Sequence, residues 1–518
     1  MPTLDWIGKD KVINHHNDVP FKVLKEQYKF GEENDNMIIH GDNLEALKAL
    51  LPLYEGKIKC IYIDPPYNTG NEGWIYNDNV NDPKIQKWLG EVVGKDGEDL
   101  SRHDKWLCMM YPRLKLLHKM IRDDGAIFIS IDDNEQAYLK CICDEVFGSR
   151  NFVAQLVWQR TFATKNDAKY FSSEHEYILV YAKEIEKLKI KDLPKSEKQM
   201  ERYKNPDNDP RGPWISTDLL RMEHRDNSVY EIPTPSGKMY SPAPGTSWRH
   251  PKEEMLALIE NNEIWFGVDG NSKPRRKKFL ADVKSGIIPQ TIWKHVDVGH
   301  TQEAKQLLKK ILDASKDFFA TPKPVRLINQ ILTILCDDGD VVLDAFAGSA
   351  TTAHAILESE LDLSFVLIEM MDYADSITAE RCKRVIQGYG EGKNKVEGTG
   401  GGFSFYELGD PIFKAENQLN ESVDEADIRK YIWYSETRGD GDYYSTDNKY
   451  QLGSYNDIAY YFFYEKEQVC VLNHKFLSTI SEKKDGYVIY ADSCSLSEEE
   501  LIKYGITFKK IPRDISRV

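Results

Sequence analysis

Cysteine is scarce in this chain: eight among 518 residues, namely Cys60, Cys108, Cys141, Cys143, Cys336, Cys382, Cys470 and Cys494. None shows the C-x-x-C pairing that zinc and redox sites use, so no metal is expected. Cys141 and Cys143, two apart on a predicted helix, are expected on different faces. Long apolar runs are also missing. Nothing approaches the roughly 20 consecutive apolar residues that span a bilayer. The start Met1-Pro2-Thr3-Leu4-Asp5-Trp6 has neither a basic nor an apolar leader region, so a cytoplasmic location and no membrane partner are expected. There is no internal repeat and no low-complexity tract. Two phosphate-binding signatures are absent, the Gly-x-Gly-x-x-Gly dinucleotide fingerprint and the Gly-Lys-Ser/Thr ending of a Walker loop.

What is present is a folded, multi-domain composition. Hydrophobic residues make up 41% and aromatics 11%, and the length suggests about three to five domains. The net charge of −16 argues against a generic nucleic-acid glue, but the charges segregate. Residues 151–310 hold 27 Lys plus Arg against 22 Asp plus Glu, whereas 403–518 hold 14 against 21. A phosphate-binding face is therefore expected centrally, with an acidic unit after it.

Met37 to His40 reads as a strand, Gly41-Asp42-Asn43 as a turn, and Leu44, Leu47, Leu50 and Leu51 as one face of a helix. Ile58 to Ile63 is a buried strand stopped by Pro65 and Pro66. An amphipathic helix is predicted over 104–122, a break at Asp124-Gly125, and strands over 126–131, 152–158 and 177–181. The segment 184–290 is polar, proline-rich and irregular, an insertion. Helices near 302–314 and 322–336 and strands 341–343 and 365–368 resume the alternation. Strands near 458–464 and 487–491 lie in a Tyr-rich tail whose Tyr431, Trp433, Tyr434, Tyr460, Tyr461, Phe462 and Phe463 read first as core. Alternating strands and helices predict a parallel α/β sheet.

Two strand ends carry the chemistry. Asp64-Pro65-Pro66-Tyr67, followed by Asn68-Thr69-Gly70, sets a carboxylate, a rigid carbonyl and an aromatic face at a sheet's carboxyl edge, where open α/β folds bind ligands. Carboxylate and carbonyl together can accept both hydrogens of an exocyclic amino group, and Tyr67 can stack on a planar base. About 280 positions on, Asp344-Ala345-Phe346-Ala347-Gly348-Ser349-Ala350-Thr351-Thr352 is a small-residue loop between strand and helix, suited to close approach of a ligand. Glu369 closes the next strand, where an acid pairs with ribose hydroxyls in Rossmann-like sheets.

These strings, in this order, resemble the β-class DNA amino-methyltransferases, and most closely the modification (Mod) subunits of type III restriction systems. Ile39 to Leu47 is similar to motif III of that family and Asp64-Pro65-Pro66-Tyr67 to its catalytic motif IV. The stretches Asp104 to Leu114 and Gly125 to Glu135 resemble the helix and strand that follow. Phe319-Ala320-Thr321-Pro322-Lys323-Pro324-Val325 is similar to motif X, Asp344 to Ser349 to motif I, and Glu369 to motif II. The resemblance implies an α/β fold class: a Rossmann-like S-adenosylmethionine-dependent methyltransferase sheet in circularly permuted motif order, with an inserted target-recognition domain and a C-terminal α+β domain. The expected division is an N-terminal arm (1–36), first core part (37–183), target-recognition domain (184–300), second core part (301–402) and C-terminal domain (403–518).

The same resemblance implies S-adenosyl-L-methionine as cofactor, held by Asp42 at the adenine ring, Lys323, Asp344, Ala345, Phe346, Gly348, Ser349 and, at the ribose, Glu369. It implies Asp64, Pro65, Pro66 and Tyr67 as the catalytic set acting on a flipped adenine. One departure is visible, Ala350 where the family prefers glycine. Arg211, Arg221 and Arg225 and the cluster Lys273, Arg275, Arg276, Lys277 and Lys278 are candidate DNA contacts, while Trp214, Trp248 and Trp265 read as core. The implied partners are double-stranded DNA, a second copy in a homodimer, and a restriction (nuclease/helicase) subunit. The competing readings are an N4-cytosine enzyme, a non-catalytic DNA-recognition subunit, and a nicotinamide-dependent oxidoreductase.

Overall fold

A computed structural model describes residues 3–32, 34–69, 87, 90–92, 102–164, 168–195, 197–283, 286–313, 321–414, 418–439, 442–443 and 448–513. Gly70, Phe319 and Ala320 lie outside the described residues. Two compact units emerge, Met1–Ile190 with Gln290–Val518, and Lys191–Pro289. The second falls inside the segment 184–300.

The first unit is built on a ten-stranded sheet. Its elements along the chain are β1 (Lys22–Gly31), β2 (Met37–His40), α1 (Asn43–Tyr54), β3 (Ile58–Ile63), α2 (Arg102–Met120), β4 (Ile121–Ile131), β5 (Phe152–Gln159), β6 (His175–Ala182), β7 (Ile292–Trp293), α3 (Thr301–Leu312), α4 (Val325–Leu335), β8 (Val341–Asp344), α5 (Thr351–Leu357), β9 (Ser364–Glu369) and β10 (Gly402–Pro411). The strand order is β1-β10-β2-β9-β8-β3-β4-β6-β5-β7. From β10 to β4 the neighbours are parallel, while β1 and the β4-β6-β5 run are antiparallel. The sheet is mixed rather than all-parallel.

Sequence pattern and burial agree in the middle. All six residues of β3 are buried, as a largely apolar run requires of a strand covered on both faces, and its one charge, Lys59, pairs with Asp124 at 2.9 Å. In α1 the buried side chains Leu44, Leu47, Leu50 and Leu51 share one face. Each such side chain removed from water contributes about 1.5–3 kcal/mol.

Three expectations are corrected. The arm contains an edge strand, since β1 pairs along its length with β10. Residues 402–411 belong to that same sheet rather than to the C-terminal domain, because β10 lies parallel against β2. The break at Asp124-Gly125 is a bulge within β4: Ile58 faces Ile121 but Cys60 faces Ala126. Gly125 is needed there, since a Cβ would meet the Lys59 carbonyl oxygen at 2.6 Å.

Beyond β10, helix α6 (Glu425–Thr437) packs with a five-stranded sheet in the order Asp442–Tyr443, Gln451–Tyr455, Ile458–Phe462, Gly486–Ala491, Ile506–Lys510. Trp433, Tyr460, Tyr461 and Phe462 are buried in its cores, as their pattern predicts, while Tyr434 is buried in the core of the ten-stranded sheet. The unit 191–289 has its own small core of Leu219, Ile232, Trp248, Met255, Leu258, Ile264 and Phe266. Cys141 is exposed and Cys143 buried. Among the described residues no helix is long and apolar enough to cross a membrane.

Candidate active site

The strand order explains why residues 280 positions apart share one site. Leu343 of β8 pairs with Ile61 of β3, Asp344 with Leu367 of β9, and Glu369 with His40 of β2. Four neighbouring parallel strands therefore end side by side, which brings Asp64 just after β3, Asp344 of β8, Glu369 of β9 and Asn43 three residues after β2 to one edge.

At the end of β3, Asp64 Oδ1 accepts from the Tyr67 hydroxyl at 2.8 Å and Oδ2 from Lys323 Nζ at 2.5 Å. Trp106 of α2 donates its indole N–H to the Pro66 carbonyl at 2.6 Å, which fixes the proline turn. The Tyr67 hydroxyl also lies 3.1 Å from Glu176 Oε2. Burial and these two carboxylates push the Tyr67 phenol well above its ordinary range. Lys323 Nζ sits 5.0 Å from the centre of the Tyr67 ring and 3.7 Å from Glu176. One ammonium thus lies between two carboxylates, the arrangement that lets charges be buried.

At the end of β8, buried Asp344 accepts from the Phe346 amide at 3.0 Å and the Thr352 hydroxyl at 2.6 Å, closing the loop onto α5. Glu369 accepts from the amides of Gly348 at 2.8 Å and Met371 at 2.9 Å. Burial raises both acids, Asp344 and Glu369, to about 7, against these hydrogen bonds. Ser349 is held by Arg381, whose Nη1 donates to its carbonyl at 2.9 Å. Ala350 takes a left-handed conformation, φ 59°, a region that favours glycine.

These groups line two adjoining clefts. The larger, about 620 Å³, contains Asp64, Pro65, Pro66, Tyr67, Lys323, Ala345, Phe346 and Glu369. The smaller, about 280 Å³, contains Asp344, Gly348 and Ser349 and shares Asp64, Lys323 and Phe346. Asp64-Pro65-Pro66-Tyr67 and the small-residue loop are brought together. Asp42 is not in either lining. It caps α1, accepting from the Leu44 amide at 2.8 Å, and pairs with Arg113 at 3.1 Å. Its neighbour Asn43 lines the cleft instead, with its amide on the Ala345 carbonyl at 3.0 Å and its oxygen on Arg113 Nε.

Sequence reasoning missed Asn43, Met109, Arg113, Glu176, Met370, Met371 and Tyr373. Arg113 and Glu176 had a signal. Each is a charge beside apolar residues, Met109 to Leu114 for Arg113 and Tyr177 to Ala182 for Glu176, and each is buried, which demands a partner.

The expected DNA contacts fare differently. Lys277 is corrected: its side chain is fully buried and its ammonium holds Asp207 and, at 3.0 Å, Asp209. The strand Arg275–Phe279 alternates, so Lys277 faces inward while Lys278 is exposed. Arg211 grips Asp209 with two nitrogens, at 2.9 and 2.8 Å. Arg275 is bound to Ser216, Arg276 to Glu263 at 3.3 Å, Arg225 to Glu223 at 3.1 Å, and Lys273 lies 3.8 Å from Asp218. Arg221 is half-buried.

A family profile described as DNA methylase matches residues 58–380. The chain is 35% identical over 373 residues to the type III restriction-modification enzyme StyLTI Mod subunit of Salmonella typhimurium, covering 68% of this chain and 55% of that one. It is 31% identical over 444 residues to the EcoP15I Mod subunit of Escherichia coli, covering 75% and 66%. To the type II methyltransferase M.KpnI of Klebsiella pneumoniae it is 29% identical over 343 residues, covering 62% and 77%. The chain therefore spans 55 to 66% of the length of these two Mod subunits.

Proposed function

We propose, from the premise that this chain belongs to the DNA methylase family, that it methylates the N6 amino group of a flipped adenine in double-stranded DNA at a specific site, as the modification subunit of a restriction system. The observation that carries this reading is the meeting of Asp64-Pro65-Pro66-Tyr67 with the loop 344–349 and Glu369 across adjoining clefts.

The clefts suit S-adenosyl-L-methionine. Met109, Ile368, Met370 and Met371 give the larger one an apolar wall, and Asn43 and Glu369 give it polar ends. Glu369 would accept from ribose hydroxyls, Asn43 would reach the base, and Lys323 and Phe346 would flank the junction of the two clefts. When bound, the cofactor supplies an electrophilic methyl group.

The chain's own residues do the rest. The adenine amino nitrogen is conjugated into its ring and poorly nucleophilic. Asp64 and the Pro65 carbonyl would accept its two hydrogens, which favours a more tetrahedral nitrogen and stabilises the positive charge that develops in the transition state. Tyr67 would cover the base and offset the few kcal/mol of unstacking that extrusion costs. Lys323 fixes the Asp64 carboxylate, so that little reorganisation is needed at the moment of reaction. A restriction subunit and a second copy of this chain are the proposed protein partners.

The test is labelled methyl transfer to unmethylated genomic DNA, with modified positions read by single-molecule sequencing. Native protein is expected to place N6-methyladenine at one short motif, and Asp64→Ala to place none. Label on cytosine N4, or none from native protein that binds S-adenosylmethionine, would overturn the adenine reading or the activity.

A further inference from the structure

An open cleft in the first unit combines cations with an exposed aromatic ring. The cleft, about 980 Å³, is lined by Arg160, Phe162, His300, Lys305 and Lys309. Phe162 is 57% exposed. Its ring is not loose, since it stacks on His295 at 4.8 Å and 24° and meets His300 edge-on at 5.2 Å. Helix α3 starts at this cleft: the Thr301 amide donates to the Arg160 carbonyl at 3.1 Å, and His300 caps the helix through Nδ1 on the Glu303 amide. The helix therefore adds its positive end to that of the side chains. Arg160 Nε is buried with no acceptor among the described residues. A donor in that state fits a site completed by an acceptor from a ligand.

The position relative to the catalytic string is fixed by two contacts. Arg160 Nη1 lies 3.1 Å from Glu176 Oε1, and Glu176 Oε2 lies 3.1 Å from the Tyr67 hydroxyl. The cleft is thus one carboxylate away from the aromatic proposed to cover the extruded base. Further aromatics follow on the same connection, Tyr170 and Phe171, 79% and 94% exposed, with Lys169 over the Tyr170 ring at 5.1 Å. Exposed rings interleaved with cations are what a sequence-tolerant single-strand track requires, because every base offers a face and every nucleotide a phosphate.

We propose that this cleft binds the nucleotides next to the extruded adenine, with Phe162 stacking a base and Arg160, Lys305, Lys309 and the start of α3 receiving phosphates. The proposal rests on the methyltransferase reading, and it places the strand's grip in the core unit rather than in 191–289 alone.

The test uses the full chain and a fluorescein-labelled duplex carrying the site mapped by sequencing. Phe162→Ala is expected to weaken binding about tenfold while leaving heparin binding unchanged, because heparin has no base to stack. The pair Lys305→Gln, Lys309→Gln is expected to reduce the salt dependence of binding by a slope of about 2. Both variants should raise KM for DNA and keep kcat. Thermal unfolding like that of the native protein excludes misfolding. Variants that bind like an active native protein, with the same salt slope, overturn the cleft alone. Native protein that neither binds the duplex nor methylates DNA overturns the methyltransferase reading, and the cleft proposal with it.

Discussion

Lys323 and Asp64 are separated by 259 positions, yet their side chains meet at 2.5 Å, and Lys323 also lies 3.7 Å from Glu176. All three side chains have little exposure, at 6%, 18% and 5%. Removing the cation takes the ammonium from Asp64 in a poorly solvated site and leaves Glu176 to Arg160, 3.1 Å away. Lys323→Met is therefore expected to lower stability by about 3–5 kcal/mol, read from urea denaturation. Methyl transfer should fall by at least about a hundredfold in conditions where the variant is folded, because Asp64 loses the group that positions it. Native-like stability and activity together would show that the ion pair is incidental.

Asp344 and Glu369 give the fold a pH dependence of definite sign. Burial raises both to about 7 in the folded chain, while in the unfolded chain they return to about 4. Between about pH 4 and 7 the folded state keeps protons that the unfolded chain has released, so these groups make stability fall as pH rises through that window. Above about 7 their contribution levels off. Asp344→Asn and Glu369→Gln are each expected to flatten the fall, measured as unfolding free energy against pH. An identical slope in native and variant proteins would assign it to other groups.

Glu369 makes a second, opposite prediction for ligand binding. A carboxylate accepts from two hydroxyls only when ionised, so a nucleoside ligand that donates its ribose hydroxyls binds the deprotonated acid. Affinity for S-adenosylhomocysteine, which cannot react, is expected to rise as pH increases through about 7. Glu369→Gln should remove the rise. A calorimetric titration series that is flat in the native protein would place the ribose elsewhere.

These groups also mark where sequence sufficed. Asp64 and Glu369 are legible because each is an acid at the end of a largely apolar strand, and Pro65 and Pro66 announce that the strand stops. The strand order was not legible, since nothing local says that β8 lies between β9 and β3, and that order alone makes one site of two distant loops. The bulge at 122–125 reads as a break in the sequence because Asp-Gly interrupts a helix and a strand alike. Arg113 and Glu176 were passed over because periodicity counts apolar residues and says nothing of a buried charge among them. Asp42 was assigned to the cofactor by resemblance, whereas its side chain is spent on the α1 cap and its neighbour Asn43 reaches the cleft.

Ala350 is fully buried with φ 59° and ψ 40° at the start of α5. A left-handed alanine costs about 1–2 kcal/mol. Glycine relieves that strain but gives back part of it as extra freedom in the unfolded chain, about 0.4–1 kcal/mol. Ala350→Gly is expected to stabilise the protein by about 0.5 kcal/mol, and cofactor affinity should not decrease. A loss of stability in urea denaturation would mean that packing of the buried methyl group outweighs the strain.

Lys277 and Lys278 are adjacent in sequence and opposite in role. Strand alternation turns Lys277 inward, where its fully buried ammonium meets Asp207 and Asp209, and leaves Lys278 in solvent. Removing Lys277 takes the ammonium from Asp207 and leaves Asp209 to Arg211, so Lys277→Met is expected to destabilise the 191–289 unit by about 3–5 kcal/mol. The loss should register as faster hydrogen exchange confined to residues 191–289, with the ten-stranded sheet unaffected. Lys278→Gln should leave exchange unchanged, because an exposed lysine contributes little to the fold. If Lys278 meets a phosphate, its loss reduces the salt slope of DNA binding by about 1. The reverse pattern, a reduced salt slope for a stable Lys277→Met variant, would restore Lys277 as a DNA contact and require the lysine to leave its carboxylate pocket on binding.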